Sequence, residues 1–326
     1  MTYLVTGVAG FIGFHVANEL LQSGETVFGV DSINDYYPVE LKKSRLDILK
    51  NFGERFQFGQ LDISDNLALT QFLTGKTFSK IIHLAAQAGV RYSLENPSVY
   101  AQSNLVGHLN MLEVARRCEG LEHMLYASSS SVYGGRTDTP FREKDRADTP
   151  ISLYAATKKS NELMSHTYAH LFDIPLTGLR FFTVYGPWGR PDMAYFSFTD
   201  KILKGEQIHV FNNGNMMRDF TYIDDIVEGV LKIAKDGPKA QTHPPHKVYN
   251  IGNNNPEKLE DFLAILESEL GKKANRKNLP MQPGDVPTTY ADITEINQDY
   301  GFKPQTDLQS GLKSFVQWYR EYYKCQ

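Results

Sequence analysis

The sequence predicts an α/β fold: a doubly wound parallel sheet with a smaller C-terminal α/β lobe. Three observations carry this. Short β-branched runs alternate with amphipathic helical stretches through the first 182 residues; the runs are apolar enough to be covered on both faces; and the pattern breaks into turn-rich pieces afterwards. The strand candidates are TYLVT (2–6), TVFGV (26–30), RFQFG (55–59), KIIHLAA (80–86), HMLYASS (123–129) and LTGLRFF (176–182). Between them the 3.6-residue period predicts helices over 11–23, 39–51, 65–74, 97–117 and 152–172. Beyond residue 182, PWGRPDM, NNGNMMRD, DGPKAQTHPPH, NIGNNNPEK and MQPGDVP separate shorter helices. Residues 183–326 therefore read as a second lobe, interleaved with the 1–182 domain. In the closing LQSGLKSFVQWYREYY, Leu308, Leu312, Phe315, Val316 and Tyr319 share one face, which predicts a helix packed on a core.

Composition narrows the function. The chain has 326 residues, 41% apolar and 22% charged, with a formal net charge of −4. That balance supplies no global basic field for nucleic acid or an anionic membrane surface, so an anionic ligand needs a local site. Strand-like Tyr3-Leu4-Val5 opens the chain without a basic leader, and no apolar run approaches the ~20 residues that span a bilayer. The expectation is a cytoplasmic, unanchored protein. Cys118 and Cys325 are the only cysteines, which predicts free thiols and no cysteine zinc set. His166 and His170 share a helix face without a third ligand, so they read as surface or interface residues, and no metal is expected.

Directly after the first strand comes TGVAGFIG, with Gly7, Gly10 and Gly13. That spacing allows a tight turn, lets backbone approach a pyrophosphate and aims helix N-terminal amides at it. Asp31 follows at the end of the second strand, about 20 residues on, where a carboxylate bonds ribose hydroxyls. Together they predict a Rossmann-type dinucleotide site. Asp31 repels a 2′-phosphate and favours NAD, while Lys42, Lys43 and Arg45 lie near enough in sequence to keep NADP as an alternative.

Further along, ISLYAATKKS sets Tyr154 four residues before Lys158. A tyrosine becomes a base at neutral pH only if its pKa falls from near 10 to about 7, roughly 4 kcal/mol of preferential phenolate stabilisation. A lysine at i+4 shares its helix face and, with the positive ring of an oxidised nicotinamide, supplies charge of that size. YASSSSVYG places Ser128 to Ser131 at the carboxyl edge of the sheet, where hydroxyls can position an alkoxide or ketone oxygen.

TGVAGFIG, HLAAQAGVRYS, YASSSSVYG, YxxxK and RFFTVYGPWGRPDM together resemble the extended short-chain dehydrogenase/reductase family, in its nucleotide-sugar epimerase branch. The likeness runs end to end, through RDFTYIDD, MQPGDVPTTYAD and WYREYY. It implies Tyr154 as base, Lys158 as its lysine and Ser129 as the catalytic hydroxyl. To the cofactor, NAD, it assigns Gly7, Gly10, Phe11, Ile12, Gly13, Asp31 and Asn34, then Asp62 and Ile63 at the adenine, Leu84, Ala85, Ala86 and Gln87 at the centre, and Asn104 in support. To the substrate it assigns Arg91, Ser128, Ser129, Ser130, Thr183, Arg190 and Arg218, the last for a diphosphate. Many relatives carry arginine where Gln282 stands, a departure that bears on diphosphate and base selectivity. The resemblance also implies a homodimer through the helices at 97–117 and 152–172.

Within that branch, Ser130 and Ser131 occupy the positions where dehydratases and decarboxylases carry an acidic group. Without that acid, oxidation at carbon 4 is followed by hydride return to the other face, a net inversion. TVYGPWGRPDM and the insert DSINDYYPVELKKSRL resemble the uronate version, which implies UDP-glucuronate and UDP-galacturonate as substrates, with Thr183 and Arg190 on the carboxylate. The alternatives are a UDP-glucose/UDP-galactose 4-epimerase, a dehydrogenase that exchanges its cofactor, and a non-catalytic dinucleotide sensor.

Overall fold

The structure is a computed structural model that describes residues 1–237, 243–282 and 284–325. The THPPH loop and MQPGDVP therefore fall partly outside the described residues, at Thr242 and Pro283. In chain order the first domain runs β1 (Thr2–Thr6), α1 (Phe11–Gln22), β2 (Thr26–Asp31), α2 (Val39–Lys50), β3 (Phe56–Gln60), α3 (Asn66–Leu73) and β4 (Lys80–His83). There follow α4 (Tyr92–Glu95), α5 (Pro97–Tyr100), a π-helical turn at Ala101–Val106, α6 (Gly107–Arg117), β5 (His123–Ser129), α7 (Leu153–Phe172) and β6 (Leu176–Phe181). The second lobe holds β7 (Thr183–Tyr185), α8 (Ala194–Lys204), β8 (Gln207–Phe211), β9 (Met217–Tyr222) and α9 (Ile223–Asp236). It continues with β10 (His246–Ile251), β11 (Pro256–Lys258), α10 (Leu259–Leu270), β12 (Asn275–Leu279), α11 (Thr294–Tyr300) and α12 (Leu308–Tyr323).

Seven strands form one parallel sheet in the order β10-β6-β5-β4-β1-β2-β3. Alternate residues face opposite sides, as the pleat demands. Tyr3, Val5, Val27, Ile82 and Leu125 join a core with α1 and α2, whereas Leu4, Phe28, Ile81, Met124 and Tyr126 join a second core with residues of α6 and α7. Both faces are covered, which is why the runs read as continuously apolar. The order reverses between β1 and β4, the point where such sheets open a ligand crevice.

Three expectations change. The seventh strand, HKVYNI, comes from beyond residue 183 and pairs with β6, so the second lobe's chain completes the first domain's sheet. KIIHLAA ends as strand at His83, which leaves Leu84, Ala85 and Ala86 in a loop at the crevice. The continuous helix expected over 97–117 is interrupted by the π turn, a feature that concentrates at functional sites. In the second lobe, β9 lies between β7 and antiparallel β11, and β12 pairs with β8. Phe182 separates β6 from β7, so one short stretch of chain passes from the large sheet into the small one.

Candidate active site

A single cleft of about 850 Å³ runs from the β1–α1 turn to the second lobe. Its walls include Gly7, Gly10, Phe11, Ile12, Gly13, Asp31, Asn34, Asp62, Ile63, Leu84, Ala85, Ala86 and Gln87 at one end. Toward the other lie Arg91, Ser128, Ser129, Ser130, Tyr154, Lys158, Thr183, Arg190 and Arg218. Residues scattered over more than 200 positions are thus gathered into one crevice.

The turn is held by backbone contact. Gly7 has φ +73°, and a Cβ there would meet Ala85 N at 2.8 Å; one on Gly13 would lie 2.0 Å from the Gly7 carbonyl oxygen. Asp31 accepts the Ala9 amide on Oδ2 (3.0 Å) and the Ile33 amide on Oδ1 (2.9 Å), leaving outer lone pairs on both oxygens. Burial pushes its pKa up against those bonds and against the charge of Lys42. The cations that kept NADP open are committed elsewhere. Lys42 Nζ donates to Asn34 O (2.6 Å) and Oδ1 (2.7 Å); Arg45, fully buried, donates to Ala9 O, Tyr37 OH, Trp188 O and Gly189 O; and exposed Lys43 pairs with Glu40. The glycine cradle and the free carboxylate lone pairs fit NAD, with no uncommitted cation beside Asp31 among these three.

Four of the expected residues are engaged within the protein itself. Asn104 does not line the cleft among the described residues: it accepts the Gln87 amide (2.8 Å) and donates to Gln87 O and Thr157 Oγ1 (3.0 Å each), bracing the loop from behind. The Asn34 side-chain oxygen is taken by Lys42. Ser128 Oγ donates to Glu162 Oε1 (2.7 Å), which also receives buried Arg180, so this hydroxyl faces the core and not a sugar. Lys158 Nζ donates to Ala127 O (2.8 Å), and burial lowers its pKa to about 8. Burial raises Tyr154, while a hydrogen bond with Ser129 and then the charge of Arg190 pull it down.

Arg190 itself is paired. Its Nε and Nη2 meet Asp192 Oδ1 (3.0 Å) and Oδ2 (2.5 Å), and Tyr36 OH donates to the same Oδ2 (3.2 Å). At the other end, Arg91 pairs with Asp285 (3.2 Å), and Arg218 donates to the carbonyls of Met217 and Pro287. Gln282 is not among the described lining residues, whereas Asp285 is. Sequence reasoning missed Asp192, Tyr36 and Asp285 as cleft residues. The first two stand inside RPDM and the uronate-like insert, so their position in those motifs was the available signal. His166 and His170 sit on the exposed side of α7, and His170 Nδ1 lies 3.1 Å from His243 Nε2. No group of three or more metal-ligating side chains gathers among the described residues. No described helix is long and apolar enough to cross a membrane.

The profile of the family described as "GDP-mannose 4,6 dehydratase" matches residues 4–315. Protein CapI of Staphylococcus aureus is 51% identical over 337 residues, covering 99% of this chain and 100% of that protein. This chain belongs to the extended short-chain dehydrogenase/reductase family, in its nucleotide-sugar epimerase branch. Another member, UDP-glucuronate 4-epimerase 4 of Arabidopsis thaliana, is 50% identical over 335 residues, 99% of this chain and 76% of that one. Among solved members, the Bacillus cereus UDP-glucuronic acid 4-epimerase in complex with UDP-glucuronic acid and NAD superposes with a TM-score of 0.89 at 33% identity, covering 99% of this chain and 100% of that one. The seven-stranded sheet and the single cleft described above are thus an epimerase-family fold.

Proposed function

We propose that this chain is an NAD-dependent 4-epimerase that interconverts UDP-glucuronate and UDP-galacturonate. The observation that carries the reading is the convergence of Arg190, Tyr154 and Ser129 on the walls of one cleft. Similarity supports it: relatives that are half identical over nearly the whole chain are named UDP-glucuronate 4-epimerase.

When bound, NAD would supply a hydride acceptor and donor for carbon 4 and a positive ring near the phenol. Residues 1–182 would hold it, with Asp31 for the adenosine ribose, the Gly10–Gly13 backbone for the pyrophosphate, and Asp62 and Ile63 for the adenine. Tyr154 accepts the proton of the 4-hydroxyl and later gives it back. Ser129 holds the oxygen while its charge changes. Lys158, kept in place by Ala127 O, adds positive charge on the phenol's side of the cleft. The second lobe, 183–326, supplies Arg218 for the diphosphate, with Arg91 reaching in from the first domain, and Thr183 and Arg190 for the carboxylate. Ser130 and Ser131 leave no acid or base to divert the keto sugar toward dehydration.

The 4-keto uronate is a β-keto acid, prone to losing carbon dioxide when the bond to its carboxylate aligns with the ketone π system. Thr183 and Arg190 hold it out of that alignment, so Arg190→Ala is expected to release carbon dioxide along with epimer. The reading itself is tested by giving purified protein UDP-glucuronate without added NAD and following the sugar by NMR. Galacturonate signals without net NADH are expected. Net NADH on adding NAD would instead mean a dehydrogenase, and binding without turnover a sensor. Two further parts belong to the proposal. The chain acts in the cytoplasm, where its free cysteines stay reduced. It is a homodimer, supported by the exposed Val106 and Leu109 near one helix and Leu163, Leu171 and Phe172 on its neighbour α7.

A further inference from the structure

We propose that Asp192, itself held by Tyr36, is a positioning residue that fixes the guanidinium plane of Arg190 and so keeps the substrate's carboxylate out of line with a neighbouring ketone. The inference rests on the uronate reading above and assigns to that site two residues it did not include.

The geometry favours orientation over affinity. Asp192 occupies the Nε/Nη2 edge of Arg190 with both oxygens, which fixes the plane of the group and leaves the opposite edge for a second carboxylate. A carboxylate already bound to the arginine weakens its pull on another anion, so a site selected for tight uronate binding alone would leave Arg190 unpaired. Asp192 is in turn fixed: Tyr36 OH donates to Oδ2, and the Tyr36 ring packs on Tyr92 with centroids 4.8 Å apart. Gly89 has room for that hydroxyl only because it lacks a side chain, since a Cβ there would sit 2.8 Å from it.

The backbone leading to Arg190 is equally constrained. Trp188 has φ +59°, a left-handed conformation unfavourable for a bulky residue, and Arg45 donates to the carbonyls of Trp188 (2.5 Å) and Gly189 (3.0 Å). Tyr36 and Arg45 both come from the insert after β2, so one segment braces the arginine through its backbone and through its side chain.

In the leak this prevents, the bond between carbon 5 and the carboxylate carbon breaks, its electron pair enters the enolate of the 4-ketone, carbon dioxide leaves, and a proton from solvent or Tyr154 ends on carbon 5. The test uses Asp192→Asn and Tyr36→Phe proteins with UDP-glucuronate, measuring epimer by NMR, carbon dioxide per epimerisation event, and KM. Affinity is measured by calorimetry in a Tyr154→Phe background, where turnover is blocked. Asp192→Asn is expected to raise carbon dioxide per event about tenfold while binding UDP-glucuronate as tightly as the unsubstituted protein or tighter. Tyr36→Phe, which removes one oxygen and leaves the fold its ring packing, is expected to move the same ratio in the same direction by less. An unchanged ratio in both variants overturns the inference, as does weaker binding in Asp192→Asn without carbon dioxide, the pattern of ordinary structural damage. If the unsubstituted protein leaves UDP-glucuronate unconverted, the function reading fails first and this inference falls with it.

Discussion

Tyr154 sits where burial opposes its ionisation, and the groups that favour the phenolate are Ser129 and Arg190. A phenol raised by desolvation needs several favourable partners acting together, since one pKa unit corresponds to about 1.4 kcal/mol. Replacing Tyr154 with Phe removes the proton acceptor but none of the grip on the diphosphate or carboxylate. Its kcat for UDP-glucuronate should fall by about 10²- to 10⁴-fold, with substrate affinity within a few-fold of the original, as read by initial rates and calorimetry. A variant turning over at the original rate would remove Tyr154 from the chemistry. The i+4 spacing places Lys158 on the tyrosine's helix face, and the Ala127 carbonyl, supplied by β5, receives its ammonium.

The junction of β1 with α1 shows how an element creates a site by close approach. Phe14 N bonds Gly10 O and Gly10 N bonds Gly7 O, so the turn is wound tightly under the helix start. A methyl at position 13 would stand 2.0 Å from a backbone oxygen that has nowhere to retreat, being bound in that turn. Gly13→Ala should therefore lose copurified NAD, detectable by extraction and enzymatic cycling, and lower unfolding free energy by about 1–3 kcal/mol. Retention of NAD at the original stoichiometry would show that the turn tolerates the shift. On the other face of the sheet, α7 is tied to β5 and β6 through Glu162, which receives Ser128 and Arg180. Burial alone would raise Glu162, yet its pKa stays near 2 because the Arg180 bonds and charge outweigh it.

Across the whole molecule, buried and half-buried histidines set the acid limit. Burial lowers His15 and His246 to about 4, His83 and His123 to about 3, and His108 well below 6.5. Each titrates lower folded than unfolded, so the unfolded chain binds more protons below pH 6.5. Their contribution is complete above that pH and is lost as pH falls. Glu143, raised to about 7, Asp219, raised to about 6, and Asp31 and Asp224, both raised by burial, act in the opposite sense but are outnumbered by the five histidines. Stability should fall as pH drops from about 6.5 toward 4, by roughly 1.4 kcal/mol per pH unit for each histidine in excess, as measured by urea denaturation at each pH. A flat profile would contradict it. At the same scale, Leu163 is 59% exposed on α7. If this face joins two copies, Leu163→Glu should convert the sedimenting species from dimer to monomer; an unchanged mass would place the interface elsewhere.

Local periodicity and spacing within one element were enough to make the alternation of strands and helices legible, along with the glycine turn, the carboxylate closing β2 and the Ser–Tyr–Lys order. Side-chain alternation and i+4 geometry are properties of a strand and a helix, whatever surrounds them. Folding was needed to show that HKVYNI completes the first sheet, that Ser128 turns inward to Glu162, that Asn104 braces Gln87 from behind, and that Arg190 already holds Asp192. Those facts depend on which polar groups folding brings together from distant positions, and a buried donor bonds to the nearest acceptor whatever their separation in sequence.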